Sequence, residues 1–586
     1  MADVIDLSSN PYVAPKDGRC LINELPSELL AHIFTLGWTP ERDEEPDSDE
    51  DFEDADSDDD TYSSVSSEGS TPPRTEQEEA EDKERRLPFN VLVSHVCARW
   101  RAVAVENPLL WAHVRFVGSP PYDRAKTYLE RAKAAPLAIT VDRTIDDADD
   151  FSMSDDSYTP EDHDPDLAII EGIMELIVPH VAHWQALQIM VSFYKHMHHA
   201  LEALGAAGPA PLLEVLQLYH YEDTDEHLKF QFPELRTQSF RLFGGVAPRL
   251  THVALWGVHV PWDREGSPYL TGLTDLELAY HARDVRPSLA EFARILRDSP
   301  GLRTLTLCLS CPAGTPDEWA PGMPLTTTPQ DAGTIDADAL APLALPALTD
   351  LVLAYLEPAY LLALLQRLSL PALTSLALDL EDDDYSEVLA YLASPRSRPP
   401  PSALSGPGVA GGSTARSLLA HLTALKVASM PASEAGVRDA YRELQALTAL
   451  NLNADFLDPY WVDLLFPQPA AGAGDAQGEL LLPRLETLTT TGVDGTQMRE
   501  LVAAREARGA PLRTLLMNEE DDVGAADEEW LGQHVERFEY FEGSDTEDDI
   551  DPDGVEVFED DEDGDWEDED EEMDEDDIDD IFVMPF

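Results

Sequence analysis

Positive charge is what this sequence has least of. Its 586 residues carry 39 Lys and Arg against 116 Asp and Glu, a formal net charge of −77. Binding nucleic acid or an anionic membrane requires Lys and Arg to displace counterions, so neither partner fits, and basic proteins are the natural complement. Cysteine is scarce as well: Cys20, Cys97, Cys308 and Cys311 are too few for a disulfide scaffold. The opening "MADVIDLSSNPYVAPKDGR" lacks the basic-then-apolar order of a signal peptide, so a reducing setting, cytoplasmic, nuclear or both, is expected. The longest apolar stretch, "LALPALTDLVLAYLEPAYLLALLQRL", is broken by Pro346, Asp350, Glu357 and Pro358 and fails as the about 20 lipid-compatible residues of a membrane span. Catalytic signatures are absent too. There is no glycine-rich phosphate loop, no G-x-S-x-G elbow and no zinc-protease motif, so neither enzymatic activity nor a cofactor is expected.

What is present is unevenly spread. Residues 41–86 hold 21 acids and 5 bases, and residues 541–586 hold 26 acids and no base. Such segments repel themselves and lack the apolar content to offset the entropy of ordering, so both are expected to be disordered. Acid-rich 143–166 and Pro/Gly/Ser-rich 394–416 are shorter segments of the same sort. The 43% of hydrophobic residues overall still requires that most of the chain fold.

Near the amino terminus, "LPSELLAHIFTLGW" (25–38) poses a packing problem. On a helix Leu25, Leu29, Leu30, Ile33, Phe34 and Leu36 span about 180°, wider than the roughly 100° stripe that one docking contact needs. Pro26 tolerates the first turn, Glu28 suits the positive end of the dipole, and Gly37 with Pro40 mark the stop. Beyond the acidic insert, Phe89, Leu92 or Val93, Val96, Trp100 and Val103 recur every three to four residues and predict a second amphipathic helix. Three short helices with this apolar load cannot hide it among themselves, and the surplus reads as a docking face.

The order Leu-Pro-x-Glu-Leu-Leu-x-x-Ile-Phe, then Val-Cys-x-x-Trp-Arg-x-x-Ala, then Asn-Pro-x-Leu-Trp resembles the F-box, over residues 21–116. The segments "YLERAKAAPLAITV" and "IVPHVAHWQALQIM" are likewise similar to those that follow the F-box in large fungal families. The acidic insert is a departure, since the family has a short loop there. Closure entropy grows only logarithmically with length, so the insert should cost about a kcal/mol or two. F-box proteins join a Skp-family adaptor and, through it, a cullin ubiquitin ligase. The resemblance implies that Leu25, Pro26, Leu29, Leu30, Ile33 and Phe34 meet the adaptor, with Val96, Trp100, Leu110 and Trp111 completing or supporting that face. The other reading is that all of these residues, Trp100 and Val96 among them, are internal core of the three-helix unit.

After residue 180 the organising signal is a repeat. Cores of the form Leu-x-x-Leu-x-Leu begin at 184, 213, 250, 273, 302, 348, 373, 422, 447, 485, 512 and 535, about 32 residues apart on average. Pro211, Pro248, Pro300, Pro346, Pro371 and Pro483 each lie two residues ahead of a leading Leu, where a Pro should end a helix and hold its neighbour extended into a strand. Helical stretches such as "SLAEFARILRDS", with Leu289, Phe292, Ile295 and Leu296 on one face, separate the cores.

The expected fold is therefore α/β: a flexible 1–20, a three-helix F-box over 21–116 interrupted by the insert, a connecting helical segment over 117–180, an irregular leucine-rich-repeat solenoid over 181–540 and an acidic tail. In a solenoid the residues alternating with the buried leucines line the concave face. They include Gln217, Tyr219, Trp256, Glu277, Asp379, Lys426, Asn451 and Asn453, either a target-binding strip or an ordinary solvated sheet.

Other motifs read as bland. Cys308-x-x-Cys311 has no second pair for zinc, His196, His198 and His199 suit a polar helix face, and "EDDEDGDWEDED" puts Glu559 and Asp570 at the ends of an imperfect calcium loop, so no metal site is expected. Ser48, Ser57, Ser544 and Thr546 sit in acidic contexts that suit acidophilic kinases. Two functions follow: the target-binding subunit of a cullin-type ligase, or a binder of basic proteins, since a leucine-rich solenoid with an acidic tail resembles the acidic leucine-rich nuclear phosphoproteins that bind histones. The target itself is not named by the sequence.

Overall fold

The computed structural model describes residues 21–38, 88–117, 120–144, 165–221, 229–237, 240–310, 312–315, 342–381, 383–395, 416–467 and 479–541. The acidic insert and nearly all of the tail, Cys311, the calcium-like loop and the four candidate phosphorylation positions lie outside them.

The chain is a mixed α/β protein with thirteen α-helices, one fourteen-stranded parallel sheet and a separate parallel pair of two-residue strands, Leu343–Ala344 and Leu368–Ser369, among the described residues; the strands named below are those of the large sheet. The strands are β1 (His113–Phe116), β2 (Leu137–Arg143), β3 (Trp184–Val191), β4 (Val215–His220), β5 (His252–Trp256), β6 (Asp275–Ala279), β7 (Thr304–Cys308), β8 (Asp350–Ala354), β9 (Ser375–Asp379), β10 (Ala424–Val427), β11 (Ala449–Asn453), β12 (Thr487–Thr491), β13 (Thr514–Asn518) and β14 (Arg537–Phe541). Their order in the sheet is their order in the chain. Every one of the twelve repeat cores contains a strand, in most cases starting two residues after the leading Leu.

Register explains the repeat. Leu276, Leu305, Leu351, Leu376, Leu425 and Leu450 form one continuous row of partners, and Leu278, Leu307, Leu353, Leu378, Val427 and Leu452 form the next. Side chains alternate across a strand, so both rows point to the same side, where they are buried against the intervening helices. Each such leucine contributes on the order of 1.5–3 kcal/mol.

The Thr that follows many leading leucines has its own role. Thr274, Thr374, Thr423 and Thr448 hydroxyls donate to the carbonyls of Thr251, Thr349, Thr374 and Thr423 at 3.2, 3.3, 3.2 and 3.1 Å, a ladder along the strand starts.

The prolines act differently from the sequence expectation. Leu213, Leu250, Leu302, Leu348 and Leu485 N–H groups donate to the carbonyls of Ala210, Ala247, Ser299, Leu345 and Leu482. Each is three residues back, so Pro211, Pro248, Pro300, Pro346 and Pro483 occupy the second position of a β-turn. A fixed φ near −65° suits that place, and no N–H is required there. The Pro makes the corner before the strand.

Three further expectations are corrected. The sheet begins at His113 rather than after 180, because β1 and β2 bury Val114, Phe116, Leu137, Ile139 and Val141 by simple alternation without the leucine pattern. The segment 117–180 is consequently not only helical. It holds β2 between α4 (Asp123–Ala132) and α5 (Pro165–Ile177). The second amino-terminal helix is two: α1 (Ser27–Gly37) is followed by α2 (Phe89–His95) and α3 (Ala98–Glu106). Cys97 is extended between them, and its Sγ accepts the Trp100 N–H at 3.4 Å as a cap.

Leu353→Ala tests the row model. Leu353 is fully buried at the centre of the second row, so the substitution should cost about 2–5 kcal/mol, read as a lower midpoint in chemical denaturation. Val352→Ala, on the half-buried opposite face, should cost less.

Candidate functional site

Two surfaces stand apart from ordinary solvated exterior. The first answers the packing question posed by α1. Leu30 and Phe34, one turn apart, are fully buried. Leu29, Ile33 and Leu36 form a second stripe and are 51%, 44% and 69% exposed. Ten large apolar side chains are exposed among the described residues, and seven of them, these three with Leu92, Val96, Leu109 and Val117, lie within 29–117.

Ring contacts and hydrogen bonds tie the amino-terminal unit together behind this face. Phe34 packs on Trp100 with ring centroids 5.0 Å apart, and Arg99 donates to the Leu25 carbonyl. Asn107 Nδ2 donates to the Ala31 carbonyl at 3.2 Å and to Thr35 Oγ1 at 3.0 Å, tying α1 to the end of α3. Asn90, buried, donates to the Leu110 carbonyl at 2.8 Å and accepts from the Tyr128 hydroxyl at 3.2 Å. Trp111 Nε1 donates to the Ala104 carbonyl at 2.9 Å, its ring meets Tyr128 edge-on, and the Arg131 guanidinium lies 4.3 Å from it.

The ten residues expected to form or support one external face therefore divide. Leu29, Ile33, Val96 and Pro26 are exposed, and Leu25 and Trp100 are half-buried. Leu30 and Phe34 are core, which corrects their expected place on that face, and Leu110 and Trp111 are core as well, in a place from which they can support the face but not form it. Leu36 and Leu92 belong with the exposed group. Leu109 and Val117, also exposed, carried no periodic signal.

The second surface is the sheet face opposite the leucine rows. Tyr219, Trp256, Ala279, Cys308, Ala354 and Asp379 are successive partners in one row at the strand ends. With Met190 and Ala254 the apolar members form a small cluster distinct from the main core, and Tyr221, Tyr280 and Tyr355 pack against it. Tyr219 meets Trp256 edge-on at 5.1 Å, and Tyr280 is tilted against Trp256 at 5.5 Å.

Tyr280 and Tyr355 have φ of 53° and 52°, and Gly257, at the equivalent place after β5, has 62°. Left-handed backbone is natural for Gly and costs about 1 kcal/mol or more for a bulky residue, so the sheet turns identically here whether or not the residue favours it.

Two carboxylates share this face. Trp256 Nε1 donates to Glu277 Oε1 at 2.6 Å, but burial, aided by Asp275, pushes the Glu277 carboxyl up to about 7. Burial also raises Asp379 to about 6, and the charge of Lys426 only partly opposes it. Asp379 is 8% exposed, and its Oδ2 has no hydrogen-bond partner among the described residues.

Of the eight residues expected on the strip, Tyr219, Trp256, Asp379 and Asn453 are buried, whereas Gln217, Glu277, Lys426 and Asn451 are half-buried. All eight share one side of the sheet by strand parity, but only Gln217, Tyr219, Trp256, Glu277 and Asp379 belong to the aromatic end. The tyrosines 221, 280 and 355 were missed. Their signal, a Tyr just past a strand core in "LYHY", "LELAY" and "LVLAY", lies outside the alternating positions.

Among the described residues the remaining candidates do not assemble a site. Cys308 is buried in the aromatic cluster, and His199 is 3.0 Å from Glu171. Among the described residues no group of three or more His, Cys, Asp or Glu is placed to hold a metal, and no helix is long and apolar enough to cross a membrane. Comparison with models of known protein families and with curated proteins finds no match.

Glu277 and Asp379 have a pH signature. Their carboxyls are raised above the unfolded values, so their protonated forms favour the folded state. Stability from them is full below the unfolded carboxyl range and is lost as pH rises through about 6 and 7. Glu277→Gln combined with Asp379→Asn should raise the melting temperature at pH 8 relative to the parent and leave it nearly equal at pH 4, compared by paired thermal scans.

Proposed function

We propose that the chain is the target-binding subunit of a cullin-type ubiquitin ligase. Its amino-terminal helices form an F-box that docks on a Skp-family adaptor, and the repeat region forms a leucine-rich-repeat solenoid that captures the target. The observation that carries this reading is the exposed stripe Leu29, Ile33 and Leu36 with Leu92 and Val96 beside it, an apolar face on a unit whose own core is already filled. Leaving such a face in water is unfavourable in proportion to its area, and a partner of complementary shape removes that cost. The order of the three sub-motifs supports the identity of the partner.

On this reading the chain breaks no bond. Its contribution is proximity: it raises the local concentration of a target lysine near a charged conjugating enzyme. A cytoplasmic or nuclear setting goes with that role, as do an absence of cofactors and independence from nucleic acid and membrane.

Leu29→Asp with Ile33→Asp tests it. Both side chains are exposed, so the fold should survive, seen as an unchanged circular dichroism spectrum, while co-purification of the adaptor from cells should be lost. Retained adaptor in the double variant would remove the basis for the reading.

A further inference from the structure

The two ends of the parallel sheet are finished differently. At the amino-terminal end the side chains of β1 are covered: Val114 and Phe116 are buried, and the Trp38 ring packs edge-on against His113 at 4.4 Å. At the other end β14 pairs with β13 alone among the described residues. The two rows of the leucine side end there as well. Leu515 and Met517 are fully buried, whereas their partners Phe538 and Tyr540 are only half-buried, as is Trp530 on the preceding helix Ala525–His534.

A parallel ladder uses the backbone groups of alternate residues. The Arg537 N–H donates to the Arg513 carbonyl at 3.0 Å, and the Phe541 carbonyl accepts from the Glu519 N–H at 3.1 Å. Residues 537, 539 and 541 therefore turn their amides toward β13, and Phe538 and Tyr540 turn theirs outward along the rim of the sheet. Such a rim is a template for one more strand. Its side chains set the pattern that strand needs: an apolar residue at every second position would cover Phe538 and Tyr540, whose rings lie 5.1 Å apart.

The charge around the rim selects the occupant. From Glu519 to Phe541 the chain has nine acids against one Arg, and that Arg537 is already paired with Glu539. Glu519, Asp521 and Glu528 are near enough to Tyr540 to act on its hydroxyl. Residues 542–586 add 26 acids and no base, so either a second copy or the chain's own tail would bring like charge to this edge.

We infer that the free edge of β14 accepts an extended segment of a basic partner protein, added as a further strand in which apolar residues alternate with Lys or Arg. The inference goes beyond the adaptor reading and does not rest on it, because β14 lies at the opposite end of the strand order from β1 and the amino-terminal helices.

The test is hydrogen exchange of the full chain, read at the Phe538 and Tyr540 amides, with and without an excess of an end-capped peptide of alternating Val and Lys. Both amides should exchange fast in the free chain and slow by about tenfold or more with the peptide. A peptide of alternating Val and Glu should leave them fast. Methylating the peptide's amide nitrogens, on the Val residues in one sample and on the Lys residues in another, should abolish the protection in one of the two, since one parity faces β14. Tyr540→Pro should remove the protection at Phe538 and keep the pairing with β13, because the lost N–H faces outward; a thermal scan checks that the variant is folded. Protection of both amides in the free chain would mean that a second copy or residues 542–586 already occupy the edge, and overturns the inference. So does an absence of protection by the Val/Lys peptide, equal protection by the Val/Glu peptide, or protection that survives both methylations. Leu29→Asp with Ile33→Asp should leave the protection intact, so failure of the adaptor reading and failure of this one give different results.

Discussion

The parallel hydrogen-bond ladder constrains everything else in this protein. Each strand pairs only with its neighbours in chain order, so a slip of one residue at any strand would turn its leucines away from the helices and put its polar residues in their place. Two continuous rows of Leu and Val prevent that slip by penalising it in burial. The turn before the strand and the Thr hydroxyl ladder fix where the strand starts. Register, turn and row reinforce one another, and this consistency lets units of very different length share one sheet.

The same alternation that fills the interior also creates the opposite face. Once one parity is committed to Leu, the other is free of the core and accumulates whatever a partner or solvent selects. Over β4 to β9 it has accumulated acids and rings, and over β10 to β14 it is more mixed, with Lys426, Asn451 and Arg537. The amino-terminal helices face a different constraint. Three short helices enclose too little volume for their apolar residues, so Leu30 and Phe34 take the inside and Leu29, Ile33 and Leu36 remain outside.

Much of this was legible before any coordinates. The leucine periodicity located twelve of the fourteen strands of the large sheet, because a buried parallel strand leaves a strong local pattern. β1 and β2 escaped because four and seven residues of alternation with β-branched side chains are too brief to separate from chance. The break at Cys97 escaped because the apolar spacing runs through it unchanged, and only a backbone excursion with a thiol cap interrupts the helix. The proline positions were found but misread: spacing reveals that a Pro recurs, and hydrogen bonding decides that it turns a corner.

The sequence alone determined the α/β class, the acidic balance, the repeat and the surplus of apolar residues near the amino terminus, since each is a property of composition or of spacing along the chain. Tertiary structure alone decided which of those apolar residues are left outside, because Leu29 and Leu30 are chemically identical and differ only in what the neighbouring helices cover. It alone also brought Trp256 against Glu277 and Tyr280, and Tyr355 against Asp379. They are scattered over more than a hundred residues, and only side-by-side pairing of their strands, in a register set by leucines on the other face, makes them neighbours.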